Sequence, residues 1–236
     1  MTDQPVHPLA IVGAGRMGHA LAAALPWAHG PFGRGFDGRG FEATLLAVPD
    51  GELRAAAAAI VAGPLVGHCA GAIGLDVLAP HEAFGLHPLM TVTLAGADFT
   101  GAGAAIAGTT PRALAFAQHL ADELAMHAVE IHDHDRAAYH AAASIASNFL
   151  VTLEDAAETL LATTGADRRI LVPLVRASFE NWAALGGQRA ITGPIARGDE
   201  ATVARQRAAV AERTPQLLPM FDELCARTRA LVAGGR

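Results

Sequence analysis

The chain has 236 residues, of which 52% are apolar, so it can bury one large core or two smaller ones. Its formal net charge is -6, whereas a protein that binds nucleic acid normally needs a basic face. All 17 basic residues are arginine, which excludes every mechanism that depends on a lysine. Composition therefore favours a globular protein and argues against nucleic acid as a partner.

Cysteine spacing and the N-terminal sequence predict a soluble, cytoplasmic protein. Cys69 and Cys225 are far apart and lack the spacing of a zinc site or a disulfide framework. The first residues carry an acid where a signal peptide carries basic residues, and the apolar run at 9–12 is too short for one. The uncharged stretch at 55–75 is interrupted by glycine and proline, which would break a membrane-spanning helix. We expect neither a membrane nor a metal as partner.

Short apolar runs alternate with helical patterns over residues 1–132, which predicts βαβ units in a Rossmann-type, mostly parallel α/β sheet. The predicted strands are 9–13, 30–33, 44–48, 65–68, 84–87, 104–107 and 128–131. The predicted helices are 16–25, 51–62 and 111–126. The glycine-rich region 26–42 is too broken for a full helix, so we expect a loop there.

Strand signals end after His132, and Ala/Leu-rich segments of helical period follow. They predict a smaller all-α C-terminal domain at 133–236, after the dinucleotide-binding domain at 1–132. Its first helix is predicted over 135–163 and must be buried along most of its length.

A GxGxxG motif follows the first predicted strand and opens the first predicted helix. Its first glycine permits a tight turn, its second lets a pyrophosphate approach the backbone, and its third allows close packing of helix on strand. The alternative is a glycine-rich turn without a ligand. The cofactor-binding residues predicted here are Gly13, Ala14, Gly15, Arg16, Met17 and Gly18.

Arg34 follows the second predicted strand, where an NAD-binding chain would show an acid for the adenosine ribose. An arginine there suits a 2'-phosphate, so we expect NADP(H) as the cofactor. The alternative is that Arg34 is a solvated loop residue and Asp37 binds the ribose.

Six motifs together resemble one family of Rossmann-like oxidoreductases with a C-terminal helical domain of unknown function. That family is similar to the pyrroline-5-carboxylate reductase and 3-hydroxyisobutyrate dehydrogenase superfamily. The resemblance covers essentially the whole chain and implies an NADP-linked oxidoreductase whose helical domains pair in a homodimer, without naming the substrate. The motifs are GAGRMG, LLAVPD at 45–50, HCAGA at 68–72, LHPL at 86–89, YHAAASIASN at 139–148 and TGPIARGD at 192–199.

The resemblance also implies that Val48 and Pro49 lie beside the cofactor ribose. The same segment is also typical of an ordinary strand-to-helix turn with Asp50 as N-cap of the next helix, and both interpretations can be true together. His68 ends the fourth predicted strand, at the edge where ligands of open α/β sheets bind, and is a further candidate for the cofactor. Cys69 is expected to be a small buried residue rather than a nucleophile. The family leads us to expect a serine where this chain has Ala70.

His140, Ser144 and Asn148 follow one another at intervals of four, which places them on one face of an α-helix. The resemblance implies a catalytic lysine four residues before an asparagine; Asn148 matches that asparagine, and Ser144 occupies the lysine position. His140 is then the expected acid or base, because histidine titrates near neutrality. The alternative is a polar stripe that pairs helices in a dimer.

Two further side chains are candidates for the substrate. His87, at the end of the fifth predicted strand, either polarises a substrate carbonyl or braces the turn at Pro88. Arg197 either binds an acidic substrate or forms an ion pair, with Asp199 or between subunits, while Asp199 caps the final helix. The His/Asp run at 132–135 is not expected to hold a metal, because its side chains point in different directions.

These residues predict an NADP(H)-dependent oxidoreductase that acts on a small carbonyl, imine or hydroxy-acid substrate. Imine reductases and 2-keto acid reductases both fit this description. The alternative is a non-catalytic NADP-binding regulatory protein, for which the missing lysine would mark lost chemistry.

Overall fold

A computed structural model describes residues 8–93 and 95–234 of the chain. Packing divides the chain into two compact units, 1–144 and 145–236. This division falls later in the chain than the boundary predicted at 132, because the segment that follows the sheet buries Arg136 within the first unit.

Seven strands in the described residues form one sheet in the order β2-β1-β3-β4-β5-β6-β7. All neighbouring pairs are parallel except β5 and β6, so the predicted mostly parallel Rossmann-type sheet is confirmed. The strand order reverses at β1, where open α/β sheets bind their ligands. The strands are β1 Leu9–Val12, β2 His29–Phe32, β3 Ala43–Leu46, β4 Leu65–His68, β5 Ala83–Leu89, β6 Gly103–Gly108 and β7 His127–Glu130.

The central strands are buried on both faces, as continuous apolar runs in a parallel sheet require. Alternate side chains enter two cores: Ile11 lies in one with Leu120, and Val12 in the other with Leu53. The helices of the first unit are α1 Arg16–Ala24, α2 Leu53–Ala59, α3 Pro111–Glu123 and α4 Arg136–Ser144. As predicted, no helix occurs among residues 33–42.

The predicted helix at 135–163 is present in parts. A 3-10 turn precedes α4, and a π turn, Ile145–Phe149, separates α4 from the next helix. The spacing that groups Asn148 with His140 and Ser144 assumes an uninterrupted α-helix, and a π turn changes that period.

The second unit is all helical, as predicted, and few of its side chains are buried. Phe179 and Trp182 are both more than half exposed, and their rings lie 5.9 Å apart. Within the described residues, none of the helices combines the length and apolarity that crossing a membrane requires. The helices are α5 Leu150–Ala162, α6 Val172–Leu185, α7 Gly187–Ala190, α8 Pro194–Arg197, α9 Glu200–Arg213 and α10 Leu218–Ala233.

Candidate active site

The glycine-rich turn links the end of β1 to α1 at the point where the strand order reverses. Gly13 has φ +114°, a conformation that side chains disfavour, and a Cβ there would overlap the Ala47 carbonyl. A Cβ on Gly18 would overlap the Gly13 carbonyl, so Gly18 permits the close approach of helix and turn. The first and third glycines are therefore required by the fold itself.

Gly15 differs from its neighbours because a Cβ there would meet no protein atom within 4 Å. Its φ of -84° suits any residue, and as the N-cap of α1 it offers no side chain to the free N–H groups of the first turn. Ala14, Gly15 and Arg16 are exposed, and Met17 is half-buried. The turn thus leaves open space in front of uncapped N–H donors, which fits the pyrophosphate of a dinucleotide.

The end of β3 lies against this turn, since an ideal Cβ on Gly13 would be 3.2 Å from Cγ1 of Val48. Pro49 is exposed and precedes the 3-10 turn Asp50–Glu52. Asp50, the first residue of that turn, forms no side-chain capping hydrogen bond there or at the start of α2.

Arg34 lies in the loop after β2, and 89% of its side chain is exposed. Its Nη2 donates to Oε1 of Glu52 across 2.8 Å. Asp37, the alternative ribose ligand, is engaged by Arg39 through Nε at 3.3 Å and the backbone N–H at 3.1 Å. Arg34 therefore lies in the loop after β2 with an exposed side chain that is paired with the carboxylate of Glu52.

His68 differs from the prediction, because its side chain is fully buried and both ring nitrogens have backbone partners. The Ala70 N–H donates to Nδ1 at 3.1 Å, which fixes the proton on Nε2, and Nε2 donates to the Gly74 carbonyl at 3.2 Å. Burial lowers the pKa of His68, so the ring is neutral. His68 thus braces the loop at 69–74 and has no free nitrogen for a cofactor.

His87, on β5, lies beside two side chains of α4. Its Nδ1 is 2.8 Å from the Tyr139 hydroxyl, and its ring centroid is 6.2 Å from that of His140. An ideal Cβ on Gly71 would lie 2.7 Å from Cδ2 of His140 and 2.9 Å from Nε2 of His87. The two imidazoles therefore converge over a glycine in the loop that His68 braces.

The side chain of Arg136, on α4, is hydrogen-bonded to the loop at 69–74. Only 1% of the residue is exposed; its Nε donates to Asp133 at 3.0 Å and its Nη1 to the Ala70 carbonyl at 3.5 Å. Its Nη2 is enclosed and has no partner among the described residues, and an ideal Cβ on Gly85 would be 3.0 Å from it. A buried cation with one exposed carboxylate partner lies next to the histidine pair.

Burial is the main cause of the altered titration at this site. Burial is the largest of the causes that lower the pKa of His87 to about 4, and the charges of His140, Arg136 and His68 contribute to the same shift. Burial also raises the pKa of Tyr139, which the charge of Arg136 partly opposes. Both groups are therefore neutral at pH 7.

Cys69 has the inert character expected of it. Burial raises the pKa of its thiol to about 12, so the thiolate is not populated at neutral pH. The residue packs against the core of the sheet.

The remaining predicted site residues lie at the end of α4 and in the second unit. Ser144 ends α4, and Asn148 lies in the π turn of the second unit. Arg197 is exposed at the end of α8, while Asp199 caps α9, the penultimate helix rather than the final one, by accepting from the Thr202 N–H at 3.0 Å. In the described residues, no three His, Cys, Asp or Glu side chains converge as metal ligands.

Tyr139 and Arg136 were missed by the sequence analysis. Their spacing with His140, at i, i+3 and i+4, places all three on one helical face. Tyr139 is also the one tyrosine of the chain. That spacing was the signal that could have identified the cluster.

Comparisons with known proteins identify the family of this Rossmann-type α/β chain. Residues 102–228 match the family described as Domain of unknown function (DUF2520), and the chain belongs to that family. This agrees with the resemblance seen in the sequence. No curated protein matches the chain.

Solved structures share the fold over nearly the whole chain. Protein TM1727 from Thermotoga maritima is 20% identical, with a TM-score of 0.81 and coverage of 97% of this chain and 99% of its own. A Bacteroides fragilis protein assigned as an NADP oxidoreductase is 19% identical, with a TM-score of 0.78 and coverage of 95% and 98%. The 1-pyrroline-5-carboxylate reductase of Streptococcus pyogenes is 14% identical, with a TM-score of 0.61 and coverage of 94% and 98%. At these identities the likeness concerns the fold.

Proposed function

We propose that the chain is an NADP(H)-dependent oxidoreductase that transfers a hydride between the nicotinamide and a small carbonyl, imine or hydroxy-acid substrate. The observation that carries the proposal is the turn at Gly15, with open space in front of the uncapped N-terminus of α1. Two fold neighbours are named as an NADP oxidoreductase and a pyrroline-5-carboxylate reductase, which supports this class of reaction.

In this proposal, separate groups of residues bind the cofactor and contact the substrate. The first turn of α1 would bind the pyrophosphate, Arg34 would bind the 2'-phosphate, and Val48 and Pro49 would contact the ribose. The bound cofactor supplies the hydride. The imidazoles of His87 and His140 converge over Gly71 and would hydrogen-bond to the substrate oxygen or nitrogen, or exchange a proton with it. Ser144, Asn148 and Arg197 remain proposed as contacts to substrate or nicotinamide.

Binding and turnover together test this function. Purified protein should bind NADPH in a fluorescence titration and oxidise it in the presence of some member of a carbonyl and imine panel. Tight binding without turnover of any compound would favour a non-catalytic NADP-binding regulatory protein. The lack of any lysine supports this alternative, because the resemblance implies a catalytic lysine. Absence of NADPH binding in folded protein would refute both functions.

The first prediction concerns cofactor choice. We expect Arg34→Ala to weaken NADPH binding by about tenfold or more and to change NADH binding little, because a charge-assisted bond to the 2'-phosphate is lost. We expect Glu52→Gln to strengthen NADPH binding by roughly threefold, since it releases Arg34 and removes a carboxylate that repels the phosphate. Titrations with both cofactors measure these changes.

Arg39→Ala is the matched control, because Arg39 lies in the same loop and pairs with Asp37. It should alter neither affinity appreciably. Equal affinities of the unmodified protein for NADPH and NADH would contradict the assignment of Arg34.

We also propose a homodimer formed by the helical units. The support is the number of large apolar side chains that the second unit leaves exposed, because exposed apolar surface of this kind is typical of a protein–protein contact. The more exposed members on α5, α6 and the adjoining turns are Ile145, Phe149, Val151, Ile170, Leu174, Phe179 and Trp182.

The second prediction tests this dimer. We expect Trp182→Asp to raise the dimer dissociation constant by about 100-fold, because a charge would replace a large aromatic contact. Val129→Asp, on the edge strand β7, is the control, since Val129 is exposed to a similar extent but lies outside the helical unit. Sedimentation of the unmodified chain as a monomer at micromolar concentration would refute the dimer.

A further inference from the structure

His87 and Tyr139 form a hydrogen-bonded pair that would supply a proton to the reaction proposed above. The inference drawn from this pair rests on that proposed function. The hydroxyl of Tyr139 and Nδ1 of His87 are 2.8 Å apart, with their rings nearly perpendicular at 86°. The contact links β5 to α4 across 52 positions of sequence. Among the described residues, His87 is the one hydrogen-bond partner found for the Tyr139 hydroxyl.

The other ring nitrogen of His87 is left open. Nε2 forms no hydrogen bond within the described residues, and it is not one of the fully enclosed, unpaired polar atoms, which there are Thr44 Oγ1 and Arg136 Nη2. It lies over Gly71, where any side chain would displace it. A substrate group that reached the glycine would meet this nitrogen.

The direction of the hydrogen bond decides what Nε2 can do. A neutral imidazole nitrogen is a better acceptor than a phenolic oxygen, and a phenol is a good donor. Burial raises the pKa of the Tyr139 hydroxyl, and the buried guanidinium of Arg136 partly opposes that rise by favouring negative charge on the tyrosine oxygen. This favours a hydrogen bond in which Tyr139 donates to Nδ1 and the single ring proton of neutral His87 is on Nε2.

We propose that Tyr139 and His87 form a two-residue proton relay, in which His87 Nε2–H protonates the substrate and the Tyr139 hydroxyl replaces that proton through Nδ1. As the substrate carbon accepts a hydride, the electron pair of its double bond moves to the oxygen or nitrogen, which takes the proton from Nε2. Nδ1 takes the hydroxyl proton of Tyr139, so His87 stays neutral. The tyrosine oxygen then carries the negative charge, near Arg136. The resting state returns when Nε2 takes a proton from water and Nδ1 gives its proton back to the tyrosine oxygen.

The groups around the relay suit a neutral donor. Arg136, His140 and His68 face His87 from α4 and β4, and each disfavours a second proton on its ring. The relay needs only the neutral ring of His87, because Nε2 loses one proton while Nδ1 gains another. A histidine that had to be charged before it donated would be poorly placed here.

The third prediction concerns the tautomer of His87, which an NMR spectrum measures without cofactor or substrate. We expect long-range 15N–1H spectra of the whole chain at pH 7 to show His87 as the Nε2–H tautomer, with its signals assigned by their loss in His87→Gln. In Tyr139→Phe, which keeps the ring and removes the hydroxyl, we expect a mixture of tautomers. A His87 protonated on Nδ1 in the unmodified protein would overturn the relay.

Kinetics supply the second readout. We expect Tyr139→Phe and His87→Gln each to lower kcat by about 10²-fold, while the Kd for NADPH changes less than about twofold. His127→Gln, on the exposed edge strand β7, is the control and should retain full activity. Normal kcat in Tyr139→Phe, or lost activity in His140→Gln with normal activity in His87→Gln, would overturn the relay.

The two readouts separate the relay from the function on which it rests. If the unmodified chain neither binds NADPH nor reduces any substrate, the proposed function fails, and the tautomer alone then decides whether His87 can donate. If it reduces a substrate but His87 has the Nδ1–H tautomer, the function stands and the relay is wrong.

Discussion

Gly15→Val is expected to lower the affinity for NADPH by at least about 10²-fold, because the new side chain would occupy the space in front of the N–H donors of α1. Each of these donors would contribute a charge-assisted bond to the pyrophosphate in the proposed function. The melting temperature should stay nearly unchanged, since a Cβ at this position meets no protein atom and the φ of -84° is an ordinary one. Cofactor titration and calorimetry on the same sample measure the two quantities.

Gly18→Val provides the contrast within the same motif. Its side chain would overlap the Gly13 carbonyl, so this variant should lose stability as well as binding. The pair separates a glycine that is needed by the ligand from one that is needed by the fold. Unchanged NADPH affinity in folded Gly15→Val would mean that the turn does not bind the pyrophosphate.

Acid is expected to destabilise the protein through His87. The pKa of His87 is about 4 in the folded chain, against an ordinary value near 6.5, so between these values the unfolded chain binds more protons than the folded one. Its contribution to stability is complete above pH 6.5 and is lost as the pH falls towards 4. Allowing for the partial exposure of the ring, this contribution amounts to about 2 kcal/mol.

Denaturant unfolding of the unmodified chain and of His87→Gln isolates this contribution from that of the carboxylates. The difference in unfolding free energy between the two proteins should shrink by about 2 kcal/mol from pH 7 to pH 4.5, because the variant lacks the titrating ring. His127→Gln gives the same comparison for an exposed histidine. A difference that stayed constant with pH for His87→Gln would refute the low pKa.

The sheet was predictable because each strand is indicated by a short apolar run of neighbouring residues. Each of the seven apolar runs forms a strand within a few residues of its predicted bounds, and a loop replaces the helix where glycine is frequent, before Ala43. The second unit was predictable as helical for the same reason. The π turn at Ile145–Phe149 was not, because it depends on how the backbone hydrogen bonds shift within an otherwise helical sequence.

The group of side chains around His87 was only partly predictable. His87 and His140 were named from separate motifs, but their proximity depends on the packing of α4 against β5. His68 lies at the predicted edge of the sheet, yet its ring turns inward, because the N–H of Ala70 and the carbonyl of Gly74 both need a partner there.

The sequence by itself determined the order of the strands and helices, the glycine-rich turn and the absence of a lysine, because each is a property of neighbouring residues or of composition. Tertiary structure alone decided which polar groups are neutral and which are paired. Arg136 becomes a buried cation, and Tyr139 becomes the partner of His87, only when α4 closes over the loop at 69–74. Burial and the direction of a hydrogen bond depend on the surroundings of a side chain in space, and residue spacing along the chain does not specify them.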